Sequence, residues 1–218
     1  MIQKEDPSFT FPFDTCETPH YSGSGGPAQP YSFLVNIASI SVVFYFLCLT
    51  RKIYNFFLML SLFAFEAVHT FSHFIHLPNA SQVNLIHPLS YFINIFYLLV
   101  LYQHTHHFPS AAFLLFLGAL FTLDVYFFKF LPFVYSFTTF FAIFFSILLY
   151  YYRFLSRTHQ SQLTTIGILG VAIVLLFYNE KINCKRMLSV FPDFSFHSIF
   201  ELVGLGVFFM ASRFFYDL

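Results

Sequence analysis

Tryptophan is absent from this chain, and charged residues fill only 9% of its 218 positions. Scarce charge sets aside the soluble globular classes. A hydrophobic share of 58% and a mean hydropathy of +0.71 point instead to a polytopic membrane protein. Without indoles, the interfacial belt falls to tyrosine and phenylalanine, present 14 and 37 times. Ten basic residues balance ten acidic ones, so no basic stripe exists to neutralise phosphates and no nucleic-acid partner is expected. The chain does not open with a basic start and an apolar core, which argues against a cleavable signal peptide. The first hydrophobic helix then serves as the targeting signal. No internal repeat is visible either, which weighs against the repeat-built transporter folds.

What is present divides into two parts. Residues 1–31 are polar, carry Pro7, Pro12, Pro19, Pro27 and Pro30 and a Gly-Ser-Gly-Gly run, and read as an irregular extramembrane segment. Residues 32–218 read as an all-α membrane domain, a seven-transmembrane helix bundle, with spans near 32–50, 54–76, 83–102, 110–128, 131–152, 162–178 and 195–214. Each can cross about 30 Å of hydrocarbon at about 1.5 Å per residue. Basic residues are shared equally between the two sides, so the positive-inside rule assigns no orientation. Seven spans put Cys16 and Cys184 on the same side. A disulfide between them requires an oxidising compartment, hence N-out and C-in. Cys48 reads as a packed residue inside span one. The sequon Asn79-Ala80-Ser81 lies on that outer side, too close to two helices to favour glycosylation.

The polar residues of span two carry the functional signal. IYNFFLMLSLFAFEAVHTFSHFIH, residues 53–76, is lipid-like except for Glu66, His69, Ser72, His73 and His76. At 100° per residue these five fall within an arc of roughly 120° on one face. Ionisable groups at membrane depth are costly and usually face a bundle interior at a functional site. His197 and Glu201, four apart, share a face of the last span. Imidazoles and carboxylates gathered in a membrane bundle suggest a metal site. Other polar residues have plainer readings. His104, His106 and His107 read as a solvated loop cluster, Asp124 as structurally paired, Lys129 as snorkelling, and Glu180 and Lys181 as an interfacial end to span six. Gly204 and Gly206 suit close helix packing.

Three separated segments resemble the alkaline ceramidase branch of the CREST superfamily of seven-helix membrane hydrolases. Asp14-Thr15-Cys16-Glu17 is similar to the family's Asp-Trp-Cys-Glu, and Asn36 and Ser39 follow as in its Asn-Thr-Ile-Ser-Asn. Ser72 and His76 match a Ser-xxx-His, with His87 at the offset where ceramidases carry an Asp. His197 to Glu201, then Gly204 and Gly206, resemble His-xxx-His followed by Leu-Thr-Gly-Leu-Gly. The resemblance also implies a disulfide between Cys16 and Cys184.

It further implies a zinc ion held by three ligands, an activated water that attacks an amide carbonyl, an Asp that takes the water's proton and a Ser that helps hold the oxyanion. Carried onto this chain, His76, His197 and Glu201 become ligands, Ser72 the oxyanion helper, and His87 the residue in the Asp position. Glu201 in place of a His keeps a zinc-compatible donor set, and His87 either accepts a proton or closes the metal as a fourth ligand. A second register competes, in which Glu66, His69 and His73 supply ligands from span two and His197 and Glu201 complete the shell. Spacing to His87 favours His76, and Glu66 and His69 then lie behind the ligands as their support. Asp14 and Glu17 correspond to calcium ligands, weakened by Phe33 where the family has a further acidic residue. The expected activity is zinc-dependent hydrolysis of a membrane lipid amide or ester. The site would face the non-cytoplasmic side of an endomembrane or of the plasma membrane. The competing readings are a non-catalytic seven-helix receptor or lipid-binding protein with a structural metal, and a proton or metal transporter.

Overall fold

The computed structural model describes residues 16–17, 26–75, 79–128, 132–192 and 194–218; the side chains of 79–83, 127–128, 132–138 and 181 lie outside that description. Among the described residues all regular structure is helical. The order is α1 (Pro30–Leu49), α2 (Ile53–Ile75), α3 (Asn79–Thr105), α4 (Ala111–Phe128), α5 (Pro132–Tyr152), α6 (Arg157–Val190) and α7 (His197–Asp217). Five segments are long and apolar enough to cross a bilayer: Pro30–Leu49, Ile53–Ile75, Asn84–Thr105, Arg157–Glu180 and His197–Asp217. That number of apolar helices marks a multi-pass membrane protein. α4 and α5 contribute shorter described apolar stretches, Ala111–Tyr126 and Thr139–Tyr152.

The helices are arranged inside out relative to a soluble protein. Large apolar side chains such as Leu34, Leu115, Leu149 and Ile168 are exposed, while Asn36, Ser39, Asn55, Glu66 and Glu201 are buried. In hydrocarbon this is the favourable pattern, because polar groups find partners only in the interior. The buried face of α1 shows it, with Ser32, Asn36, Ser39, Val43 and Phe46 spaced by three and four. α1 packs against both α2 and α7, α2 against α3, α3 against α5, α4 against α5, and α6 against α7. An aromatic and aliphatic core includes Leu58, Tyr97, Leu101, Ile147, Tyr151 and Phe214. Tyr97 stacks on Phe144 at 4.9 Å and meets Phe215 edge-on at 5.2 Å. On α6, a Cβ at Gly170 would lie 3.1 Å from the tip of the Phe145 ring, so the α5–α6 approach depends on a small residue there.

Two boundaries differ from the sequence reading in ways that matter for function. α6 does not end near 178 but continues to Val190, and its 34 residues span about 50 Å. It is thus longer than the roughly 20 residues a crossing needs, and its final turns carry Cys184. Glu180, read as the polar end of a span, is the last residue of the membrane-length stretch Arg157–Glu180, and the helix runs on past it. His104 is also not a loop residue. It occupies the last turn of α3, its Nδ1 3.2 Å from the Leu218 carbonyl oxygen and its ring 5.1 Å from that of His159.

The segment ahead of α1 is strapped onto the bundle. Cys16 is disulfide-bonded to Cys184, with Cα atoms 5.6 Å apart. The buried Glu17 carboxylate accepts from the Tyr31 N–H at 2.9 Å, the Ser32 N–H at 3.1 Å, the Ser32 hydroxyl, and the Ser195 hydroxyl at 2.8 Å. It thus caps the start of α1 from a distance, serving N–H groups that have no partner within the helix. Four donors fill the oxygens that the calcium reading required of Glu17. Asp14, the other residue of that reading, lies outside the described residues.

Candidate metal centre

α2 carries Glu66, His69 and His73 on one interior face, and α7 brings His197 and Glu201 towards it. His69, His73, His197 and Glu201 are all buried, and each offers a ligand atom within 4.8 Å of the others. The His69 and His73 Nε2 atoms are 3.2 Å apart. Glu201 Oε1 lies 3.4 Å from His69 Nε2, 3.6 Å from His73 Nε2 and 2.7 Å from His197 Nε2. A zinc ion with bonds of about 2.0–2.1 Å makes a tetrahedron whose corners are about 3.3 Å apart. Three of the four separations fall within 0.3 Å of that edge, and the fourth is shorter.

His73, His197 and Glu201 are held from behind by hydrogen bonds. His73 Nδ1 meets Gln29 Oε1 at 2.6 Å, and the Gln29 N–H donates to the His73 carbonyl at 3.0 Å. His197 Nδ1 lies 2.9 Å from both oxygens of Glu180. His69 Nδ1 lies 3.6 Å from Glu66 Oε2. Asn36, with its amide nitrogen turned to the carboxylates, donates to Glu201 Oε2 at 2.8 Å and to Glu66 Oε1 at 3.2 Å. An acceptor at Nδ1 places the imidazole proton there and leaves the Nε2 lone pair facing inward. At His73 and His197 these lone pairs meet His69 Nε2 and Glu201 Oε1, all on buried residues. His197 Nε2 and Glu201 Oε1 make no hydrogen bond of proper geometry despite their proximity. Buried polar atoms without partners are costly, and this donor set could hold a metal ion.

The structure brings together His73, His197 and Glu201 of the expected ligands and adds His69. The favoured His76 register set His69 behind the ligands, while the second counted it among them; here its Nε2 joins the group and Glu66 stands behind. His76 lies outside the described residues. Ser72 is buried in α2, but its hydroxyl donates to the Val68 carbonyl at 2.8 Å, a bond within its own helix. His87 is not a member of the group. Its Nε2 lies 2.5 Å from Asp124 Oδ2, which also accepts from the Tyr91 hydroxyl, so His87 joins α3 to α4. Asp124 is structurally paired, as its sequence position suggests. Gln29 and Glu180 escaped the sequence reading. Gln29 sits among small and proline residues without helical periodicity, and Glu180 looked like a helix end beside Lys181.

No family model, curated protein or solved structure matches this chain.

Proposed function

We propose that this chain is an integral membrane hydrolase of a lipid amide or ester, with a zinc ion held by His69, His73, His197 and Glu201. One observation carries the reading: three imidazole nitrogens and a carboxylate oxygen lie within 4.8 Å of one another, with His73, His197 and Glu201 each hydrogen-bonded from behind. When bound, zinc supplies a Lewis acid and brings the pKa of a coordinated water to about 7. The histidines orient that chemistry. Glu201 is the acidic member of the set, and its Oε1 is the oxygen that faces the imidazoles. Asn36 holds the other oxygen and keeps Oε1 turned inward. The resemblance to alkaline ceramidases supports a lipid amide as the first substrate class to try.

We further propose seven crossings with the N-terminus outside. Five long apolar helices plus α4 and α5 support the count. The Cys16–Cys184 bond supports an oxidising compartment on the site's side, and hence an endomembrane lumen or the cell exterior.

The test is metal analysis of purified protein followed by turnover of lipid amides and esters. One zinc per chain, lost in His197→Ala, together with hydrolysis abolished by His73→Ala and by Glu201→Ala, is the expected result. A folded wild-type protein that neither carries nor takes up metal overturns the reading. Because Glu201 closes a four-ligand shell, a structural zinc is the second reading. It is selected if zinc is stoichiometric and no lipid is turned over.

A further inference from the structure

We infer that Glu180 is the positioning residue of the metal centre, and that the Cys16–Cys184 disulfide acts through it to hold His197 in place. The inference rests on the metal-site reading above and concerns what sets its affinity. Glu180 belongs to α6, which contributes no ligand, yet both its oxygens lie 2.9 Å from His197 Nδ1. One of them, Oε1, also accepts the backbone N–H of Cys16. The Cys16 carbonyl in turn accepts the N–H of Phe196 at 3.0 Å and of His197 at 3.4 Å. Cys16 therefore grips His197 twice, directly at its main chain and through Glu180 at its ring.

The covalent bond explains why this grip persists. α7 starts at His197; Phe196 offers no side-chain cap, and Ser195 Oγ accepts the Ser198 N–H at 3.2 Å. The Cys16 carbonyl takes the two N–H groups before it, those of Phe196 and His197. Cys16 belongs to a segment ahead of α1, and its link to Cys184 places it one turn of α6 beyond Glu180. Glu180, Cys184 and Cys16 thus form one frame on α6 against which His197 is aligned. A buried carboxylate accepting the distal N–H of a ligating histidine fixes its tautomer and raises its basicity, and loss of such a partner costs about 10–100-fold in metal affinity.

The experiment titrates Co²⁺ into the purified, metal-stripped full chain in detergent and follows its ligand-field absorption. The expected result is that Glu180→Ala weakens binding towards a hundredfold. Glu180→Gln, which keeps size and one acceptor oxygen, weakens it about tenfold. The double variant Cys16→Ser with Cys184→Ser also weakens binding about tenfold or more, with Glu180 intact. Gln is nearly isosteric with Glu, so that arm remains decisive if the Ala variant fails to fold. Affinities within twofold of wild type for Glu180→Gln and for the double cysteine variant overturn the inference and leave the metal site standing. Wild-type protein that shows no Co²⁺ absorption overturns the underlying metal reading instead.

Discussion

Gln29 is an uncharged residue with a consequence usually reserved for charged ones. It binds His73 at two points, ring and carbonyl, and so determines which imidazole nitrogen faces the metal centre. Replacing it with Leu leaves the Nδ1 proton without an acceptor and frees the ring to rotate. We expect Gln29→Leu to lower zinc affinity about 10–100-fold, read by competition with a chromophoric chelator, while the helical circular dichroism is retained. The two histidine registers separate in the same assay. His69→Ala removes a ligand and should abolish stoichiometric zinc, whereas His76→Ala should retain it; the opposite pattern restores the His76 register. The face of α2 was legible because an arc of ionisable residues on an apolar helix is costly unless used. Which residues on that face touch metal was not legible, since Ser72, His73 and His76 differ by fractions of a turn. Helix rotation against α7 decides between them, and that is a tertiary quantity.

At the level of elements, neither Gln29 nor Phe196 caps the helix it precedes with its side chain. The Cys16–Glu17 dipeptide, far off in sequence, serves the first turns of both, and Ser195 Oγ accepts the Ser198 N–H of α7. Removing the Glu17 carboxylate strands four donors, two of them backbone N–H groups. A lost cap costs about 1 kcal/mol, and a stranded buried donor about 1–3 kcal/mol. Glu17→Ala should therefore lower the thermal unfolding midpoint in detergent by several degrees. A calcium chelator should leave the wild-type midpoint unchanged, because the Glu17 oxygens are already occupied by protein donors; a chelator-induced drop would reinstate the calcium site. The helices themselves were readable from apolar runs, and five meet the length needed to span. The reach of α6 to Val190 was not readable, since its last turns are polar and resemble a loop. They carry Cys184, bonded to Cys16, and belong to a helix that packs against α7, both of which are tertiary features.

For the whole molecule, the disulfide closes a loop of 168 residues. Chain-entropy arguments give a bond of that span about 5 kcal/mol in a chain free to unfold into water. Helices retained in a bilayer have already lost most of that freedom, so the bond's larger effect is on position. The same bond makes sidedness testable. An acceptor sequon introduced at residues 20–24 should be glycosylated in a eukaryotic membrane, and one introduced at 153–156, between α5 and α6, should not. Modification of the second alone would invert the proposed orientation. Wild-type protein should also migrate faster without reductant than with it, and this difference should vanish in Cys184→Ser.

The division of the metal centre between α2 and α7 has a consequence in time. His197 follows His73 by 124 positions. At about 5–20 residues per second, its synthesis trails by roughly 6–25 s. Throughout that interval α2 must reside in or beside the membrane with Glu66, His69 and His73 unmatched by α7. Its flanking Phe63, Phe65, Phe71 and Phe74 then act as ballast for integration, before they have any packing role. The order of synthesis thus asks more hydrophobicity of α2 than the finished bundle does.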